Sequence, residues 1–286
     1  MQASKRYEIY RNVIKRVLAD QESLPSLPAI TLKIRQAISD ESTTVDKLVK
    51  IISTDPALST LLMKYASSPA FKTAKPANTL NSLISLMGFS TVNKIVMTHS
   101  VSSLFINRNP QLKKLYTISR NRQLVKAGYS IFLAQQLGYR PTDEVLMVSF
   151  LSEVGTLALL AALEEEVQIP DAATYFELCR RYSKSLGIVL LTKWQIDENL
   201  INAVKLIGQW NNSPKGQLAL LDIVNLGLFH TVIRTSKSKK TSLPAVSDIA
   251  AFKKLMPQYR AVDNIGQLSL VSENQKQIDD LIRSMN

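Results

Sequence analysis

The stretch Asp55-Pro56-Ala57-Leu58 gives the clearest indication of how this chain folds. An aspartate can accept hydrogen bonds from the unpaired amides of a first helical turn. A proline is tolerated at the first helical position because its missing N–H would have no partner there. Apolar residues then recur at three- and four-residue intervals, the spacing of one helical face: Leu58, Leu61, Leu62 and Tyr65. The stretch therefore predicts a helix with one buried face, which ends before Pro69.

Helix signals of the same kind recur on both sides of this stretch. Upstream, Thr43 and Asp46 resemble a capping box for a helix over residues 45–52. Downstream, Thr79 predicts a helix start and Gly88 its end. Further helices are predicted for residues 7–18, 111–137, 142–159, 244–256 and 273–285, and after Pro170, Ser185, Asp197 and Pro214. Since no segment is predicted as a strand, we expect an all-α protein.

The composition is typical of a globular protein from a reducing compartment. Hydrophobic residues make up 45% of the 286 residues, enough for a sizeable core. Cys179 is the only cysteine, which excludes an internal disulfide and a cysteine-rich metal site. The longest apolar run, residues 154–163, is far shorter than the roughly 20 residues of a membrane-spanning helix. Since the N-terminal residues also lack the apolar segment of a signal peptide, we expect a cytoplasmic protein with no membrane attachment.

The charge of the chain is strongly positive, with 35 Lys and Arg against 23 Asp and Glu and a net charge of +12. Nucleic-acid-binding proteins share this excess, and so do many basic soluble proteins. Here the cations are scattered in pairs, and the densest cluster, residues 236–240, contains no aromatic side chain. We therefore interpret the charge as a solvated surface and keep nucleic-acid binding as an alternative.

Four segments, in this order, resemble the HDOD family, the "HD-related output domain" of bacterial signalling proteins: Leu24-Pro-Ser-Leu-Pro-Ala-Ile30, Asp55 to Leu58, Leu80 to Phe89, and Leu186 to Trp194. The resemblance covers roughly Glu22 to Pro214 and implies a helical bundle related to the HD phosphohydrolase superfamily. It predicts an N-terminal helix (1–21), an HDOD domain (22–214) and a C-terminal helical extension (215–286). The domain would divide into an N-terminal helical lobe (22–109) and an HD-like lobe (110–214).

The resemblance also locates the positions of the HD metal ligands, which in the superfamily are a histidine, an adjacent His-Asp pair and a further aspartate. The segment Leu151-Ser-Glu-Val-Gly155 matches the one that carries the pair, so Ser152 and Glu153 stand in its place. Arg122 matches the upstream histidine, and Gln209 lies at a later histidine motif. The final aspartate has no direct match; Asp222 lies near its position and Asn225 lies nearer. Ser67 replaces an asparagine that is usual in the family.

These replacements predict a degenerate pocket with no metal, no cofactor and no catalytic residue. Metal-dependent hydrolysis needs several fixed lone pairs and an open coordination position. The chain has only two histidines, His99 and His230, and neither matches a ligand position. Arg122 would repel a divalent ion, and we hypothesise that it pairs with Glu153 as a neutral plug. Both histidines and Cys179 are interpreted as structural residues.

The predicted function is a non-catalytic regulatory module that transmits a signal by protein–protein contact. Its former cleft would be collapsed or used for a small effector. The alternatives are a phosphohydrolase with a remodelled carboxylate site, for instance Glu153 with Asp222, and a nucleic-acid-binding protein. The partner is unidentified, and homodimerisation is left open.

Overall fold

A computed structural model describes residues 25–66, 79–104, 110–164, 169–235 and 243–285, together with Glu8, Arg11, Asn12 and Lys15. Over these ranges the chain is helical and contains no strand, apart from an isolated bridge between Val262 and Leu268. The all-α prediction is confirmed. Nearly all of the predicted helix over residues 7–18 lies outside the described residues, as do Ser67 and the basic cluster 236–240.

The chain divides into two compact units. Residues 26–104 form one, which contains α1 (Ala29–Ser39), α2 (Val45–Ile52), α3 (Pro56–Ala66) and α4 (Leu80–Leu104). Its core is built from the predicted apolar faces, with fully buried side chains from all four helices: Ile34, Leu48, Ile52, Leu58, Leu62, Leu83 and Ile84.

Side-chain caps position the helices of this unit. Asp55 Oδ1 accepts a hydrogen bond from the amide of Leu58 at 3.0 Å, as predicted for the start of α3. Thr79 Oγ1 accepts one from the amide of Ser82 at 3.1 Å at the start of α4. The cap of α2 is Thr44 rather than the predicted Thr43, because the Thr44 hydroxyl is the one that accepts from the amide of Lys47. Gly88 has a φ of 76° and interrupts α4 where the helix end was predicted.

The other unit, formed by residues 1–25 and 105–286, carries most of the helices. They are α5 (Lys113–Gln136), α6 (Thr142–Leu151), α7 (Gly155–Leu163), α8 (Ala172–Lys193), α9 (Glu198–Leu206) and α10 (Leu220–Thr235). The short α11 (Ala250–Lys253) and α12 (Ser269–Ser272) and the final α13 (Gln275–Ser284) follow, with two 3-10 turns at Val246–Asp248 and Pro257–Tyr259.

Three helix predictions in this unit were wrong. The helix predicted over residues 142–159 is two helices, α6 and α7, with a turn between them. No helix begins at Ser185, because α8 runs through it without a break. Residues 244–256 form two short helical pieces rather than one helix. A helix does follow Pro214, as predicted, and it begins at Leu220.

Close backbone packing explains the break between α6 and α7. Gly155, the first residue of α7, lies so close to α8 that a Cβ atom would collide with the carbonyl oxygen of Ser183. Gly187, one turn further along α8, approaches the same backbone. This contact lies at the first residue of α7, directly after the turn of residues 152–154.

The helix pair α6–α7 is also the most apolar part of the described chain. Residues 142–163 are long and apolar enough to cross a membrane by length and composition, with a mean hydropathy of 2.0. However, 89% of this segment is buried inside the fold, as is typical of core helices. Its side chains therefore form the core of this unit.

The C-terminal helices share a core with α5. Gly227 of α10 packs directly against Ser130 of α5, and Gly128 of α5 leaves room for Ile282 of α13. The side chains between these helices are buried: Tyr129, Phe132, Leu133, Leu226, Phe229, Val271 and Ile278. As a result α5 is buried on several sides, and its polar residues need partners.

Candidate functional site

The candidate site lies where α5 passes the turn between α6 and α7. Arg122 and Lys126 are four residues apart on α5 and therefore lie on one face of that helix. The turn presents Ser152 and Glu153. It is held by Thr156, whose amide and hydroxyl donate to the Glu153 carbonyl oxygen at 3.0 and 2.7 Å. The start of α7 thus fixes the side chains that face α5.

Lys126 makes the shortest contacts of the site. Its Nζ atom lies 2.5 Å from Ser152 Oγ and 2.5 Å from Glu153 Oε1. The lysine side chain is only 1% exposed. Ser152 in turn donates its hydroxyl hydrogen to the carbonyl oxygen of Ser149 at 2.9 Å. One ammonium group therefore joins both side chains of the turn to α5.

Arg122 is a second, weaker partner of Glu153. Its Nε atom lies 3.8 Å from Glu153 Oε2, and its side chain is 35% exposed. The structure thus brings Arg122 and Glu153 together, as hypothesised from the sequence, but the closer cation is Lys126. With two cations and one carboxylate, the three side chains carry a formal net charge of +1.

The sequence analysis missed Lys126, because the local pattern does not show that this lysine is buried. In the structure Lys126 lies on the buried face of α5 with Gln123, Ala127 and Ser130. A lysine is almost never fully buried unless it is paired. Only this burial, which the fold produces, shows that an acidic partner must lie nearby.

The electrostatics favour the charged form of the pair. Burial raises the pKa of Glu153, but the charges of Lys126 and Arg122 outweigh this effect and hold the pKa below its ordinary value. Burial lowers the pKa of Lys126, and the charge of Glu153 opposes that shift. The contact is therefore a buried salt bridge between an ammonium and a carboxylate.

Helix α8 closes another side of the site with Tyr175 and Cys179. The Tyr175 hydroxyl lies 2.6 Å from Ser119 Oγ on α5. Burial raises the pKa of the Cys179 thiol to about 12; the hydrogen bond from Tyr175 lowers it and the charge of Glu153 raises it. The thiol is protonated at neutral pH, and since the thiolate is the reactive form, Cys179 is not an activated nucleophile.

The structure does not bring Gln209 and Asp222 to this site. Gln209 is exposed after α9, where its Nε2 donates to the Lys205 carbonyl oxygen at 3.2 Å. Asp222 is fully buried at the start of α10 and binds Lys254 Nζ at 2.8 Å. Within the described ranges, neither has a hydrogen bond or an ion pair with Lys126 or Glu153. Asn225 is hydrogen-bonded elsewhere as well, since its Oδ1 accepts a hydrogen bond from the Gly208 amide at 2.8 Å.

The two histidines lie elsewhere. His99 belongs to α4, in the unit of residues 26–104. His230 is fully buried in α10, with the rings of Tyr129 and Phe229 at centroid distances of 5.8 and 5.4 Å. Burial lowers the pKa of His230 to about 4, so its ring is neutral at neutral pH.

The HDOD domain family matches residues 24–209, about two thirds of the chain. The chain belongs to the HDOD family. A curated relative, an uncharacterized protein of Treponema pallidum (strain Nichols), is 21% identical over 222 residues. That match covers 72% of this chain but only 42% of the Treponema protein, so the chain spans less than half of that relative's length.

Solved structures share the HDOD fold over the whole chain. A protein named "Putative metal-dependent phosphohydrolase" from Shewanella amazonensis SB2B is 16% identical, with a TM-score of 0.75 and coverage of 98% of this chain and 99% of that one. An HDOD domain protein with unknown function from Geobacter sulfurreducens is 16% identical, with a TM-score of 0.62 and coverage of 99% and 97%. A "Putative signal transduction protein" from Marinobacter aquaeolei VT8 is 17% identical, with a TM-score of 0.50 and coverage of 99% and 64%.

The relationship to HD proteins implies a divalent metal ion, and the residues of this HDOD chain do not fit one. At the position that the sequence resemblance assigns to the His-Asp pair, Ser152 supplies a hydroxyl and Glu153 a carboxylate, and both are bound by the Lys126 ammonium. Arg122, whose guanidinium is always protonated, stands at the position that the resemblance assigns to the upstream histidine. Among the described residues, no group of three or more His, Cys, Asp or Glu side chains is placed to hold a metal ion.

Proposed function

We propose that this HDOD protein is a regulatory module of bacterial signalling that binds a protein partner in the cytoplasm and hydrolyses no phosphate ester. The observation that carries the proposal is the position of the Lys126 ammonium, 2.5 Å from both Ser152 Oγ and Glu153 Oε1. The two side chains at the position of the HD metal pair are thereby bound to the protein's own cation.

This arrangement argues against hydrolysis. A metal-dependent hydrolase needs an ion with an open position for water. Here a divalent ion would have to displace an ammonium that is 1% exposed and tethered to α5. Ser152 is not an activated nucleophile either, because activation needs a base that removes its proton. Lys126 donates a hydrogen bond to Ser152 instead, and Glu153 favours the protonated form of the lysine.

One further feature supports a regulatory role. The Marinobacter protein that shares the fold carries a signal-transduction name. Since the chain spans only part of its Treponema relative, the partner is to be sought with the full native protein.

The test combines turnover, metal content and partner capture on one preparation. The purified protein is assayed with nucleotides and cyclic dinucleotides in the presence of Mn²⁺ or Mg²⁺, and its bound metal is measured. Cross-linking in the native cell then identifies bound proteins. We expect no turnover, no stoichiometric metal and a specific protein partner. Turnover that disappears in Glu153→Gln but persists in the surface variant Lys205→Gln would contradict the proposal and support the phosphohydrolase alternative.

The two alternative functions lack a specific observation in their favour. A carboxylate site of Glu153 and Asp222 would need both groups free, but each is bound to its own lysine. Binding of nucleic acid would appear in the same preparation as an affinity that falls steeply with salt.

A further inference from the structure

The outer face of α8 carries an exposed aromatic side chain beside a row of cations. Phe176 is 41% exposed, whereas its neighbours Tyr175 and Leu178 point into the core. Arg180 and Lys184 follow at intervals of four residues and are exposed as well. Residues at this spacing are neighbours on a helix surface, so the three side chains lie along one face of α8.

The cations of this face exceed its carboxylates. Arg181 pairs with Glu177, at 3.2 Å between Nη2 and Oε1. Arg180 has no ion pair with any other described residue, and Lys184 donates its hydrogen bond to a neutral acceptor, the Ile207 carbonyl oxygen at 2.7 Å. Three cations against one carboxylate leave a formal charge of +2 on this part of the surface.

The end of α9 adds a second apolar side chain to the same face. The bond from Lys184 to the Ile207 carbonyl oxygen joins this end of α9 to the middle of α8. Leu206, the last residue of α9, precedes Ile207 directly and is 36% exposed. The cations of α8 are therefore accompanied by exposed apolar groups from two helices.

The other carboxylates of this helix pair do not neutralise the cations. Asp171 and Asp197 cap the starts of α8 and α9 through their side chains. Glu198 is the first residue of α9 and lies roughly 12 Å from Leu206 along the helix axis, because each helical residue rises about 1.5 Å.

We propose that the protein partner docks on this face, formed by Phe176, Arg180, Arg181, Lys184 and Leu206, through a carboxylate-rich segment that also carries an apolar side chain. The inference rests on the proposed function, since it names the surface and the chemistry of that partner. Guanidinium groups bind carboxylates through paired hydrogen bonds, and Arg and Phe are enriched in protein interfaces. Nucleic acid would find only one aromatic ring here for base stacking.

The first part of the test locates the contact in the native cell. The photo-cross-linking amino acid p-benzoylphenylalanine replaces Ala173, which is exposed one turn before Phe176, or Lys276, an exposed control position on α13. We expect one protein to be cross-linked at position 173 in much higher yield than at position 276. Its cross-linked segment, mapped by mass spectrometry, should be rich in Asp and Glu.

The second part measures charge complementarity on purified components. The mapped segment is synthesised as a fluorescent peptide, and its Kd for the full chain is determined. Arg180→Glu should weaken binding by about tenfold or more, whereas Lys276→Glu, with the same change of charge, should not. A peptide with one Glu exchanged for Lys should bind Arg180→Glu better than the original peptide does. The Tm of Arg180→Glu should equal that of the unaltered protein, because the side chain is exposed.

The proposal is overturned if the mapped segment is not acidic, if nuclease removes the cross-linked product, or if Arg180→Glu and Lys276→Glu bind the peptide equally well. A partner that is cross-linked at position 276 and not at position 173 contradicts this surface and leaves the proposed function intact. A native cell in which no protein is bound to the unaltered chain contradicts the proposed function itself.

Discussion

At the scale of single residues, Glu153 is bound by two cations that differ in strength. Lys126 is buried and lies at 2.5 Å, whereas Arg122 is partly exposed and lies at 3.8 Å. The sequence pointed to Arg122, the weaker partner, because the family resemblance covers only the positions matched to metal ligands. It gives no information on Lys126, which lies one turn further along α5. Only the burial of α5 on several sides distinguishes Lys126 from an ordinary surface lysine.

The first prediction concerns the unequal contributions of these two cations. Glu153→Gln leaves the Lys126 ammonium buried without its counter-charge and should cost about 3 to 5 kcal/mol in the free energy of unfolding. Arg122→Gln should cost about 1 kcal/mol or less, because partly exposed pairs contribute little. Urea denaturation measures both. Equal losses in the two variants would contradict a minor contribution of Arg122.

The apolar double variant Lys126→Met/Glu153→Leu provides the matched control for that series. It removes both charges and keeps the volume, so it should recover most of the loss seen in Glu153→Gln. A double variant as unstable as the single one would mean that the turn needs the hydrogen bonds of Ser152 rather than charge balance.

A second residue-scale prediction concerns His230, whose burial lowers its folded-state pKa to about 4, below the ordinary histidine value of 6.5. The unfolded state therefore binds more protons between these values, so the stability contributed by the neutral ring is complete above pH 6.5 and is lost as pH falls towards 4. Between pH 7 and pH 5, the free energy of unfolding should fall by about 2 kcal/mol more in the unaltered protein than in His230→Leu. Urea denaturation measures this difference. The same loss of unfolding free energy in both proteins would contradict a lowered pKa of His230.

At the scale of helices, the features that could be predicted from the sequence are local ones. Asp55 and Thr79 cap their helices through residues three positions away, so the signal lies within one turn of chain. The break between α6 and α7 could not be predicted in this way, since a helix can run through Ser152, Glu153 and Gly155 without interruption. It depends on Gly155 meeting the Ser183 carbonyl oxygen across a long sequence separation.

The third prediction tests that contact. Gly155→Ala places a methyl group against the backbone of α8 and should cost about 1 to 3 kcal/mol or more, because backbone cannot move aside as a side chain does. Gly187→Ala is the matched control. Its added Cβ would lie 3.3 Å from the Gly155 amide nitrogen, a tight contact that a small shift relieves. If both variants unfold at the same urea concentration, the close approach of α7 and α8 does not determine the turn.

At the scale of the whole molecule, helical class and family could both be predicted from the sequence, and the domain borders at 21/22 and 214/215 remain predictions. The family match ends at residue 209, yet α10 and α13 lie beyond it and share a core with α5. Periodicity shows that a helix has an apolar face, but not which helix that face will meet. The sequence could therefore not show that the C-terminal helices help to bury the helix that carries Lys126.

The fourth prediction follows from this shared core. Ile278 of α13 is fully buried. Its replacement by alanine should cost about 2 to 5 kcal/mol. In this variant, amide hydrogen exchange should become faster in α5 as well as in α13. The control Ile265→Ala, at a position that is 64% exposed, should leave the amides of α5 protected. Faster exchange confined to α13 would show that the C-terminal helix is a separate cooperative unit.

The central claim is that the Lys126 ammonium binds Ser152 and Glu153 and that the chain holds no divalent ion there. A Mn²⁺ titration followed by electron paramagnetic resonance tests it most directly. The account predicts no tightly bound Mn²⁺ in the unaltered protein. A tightly bound ion in the unaltered protein that is lost in Glu153→Gln would contradict it.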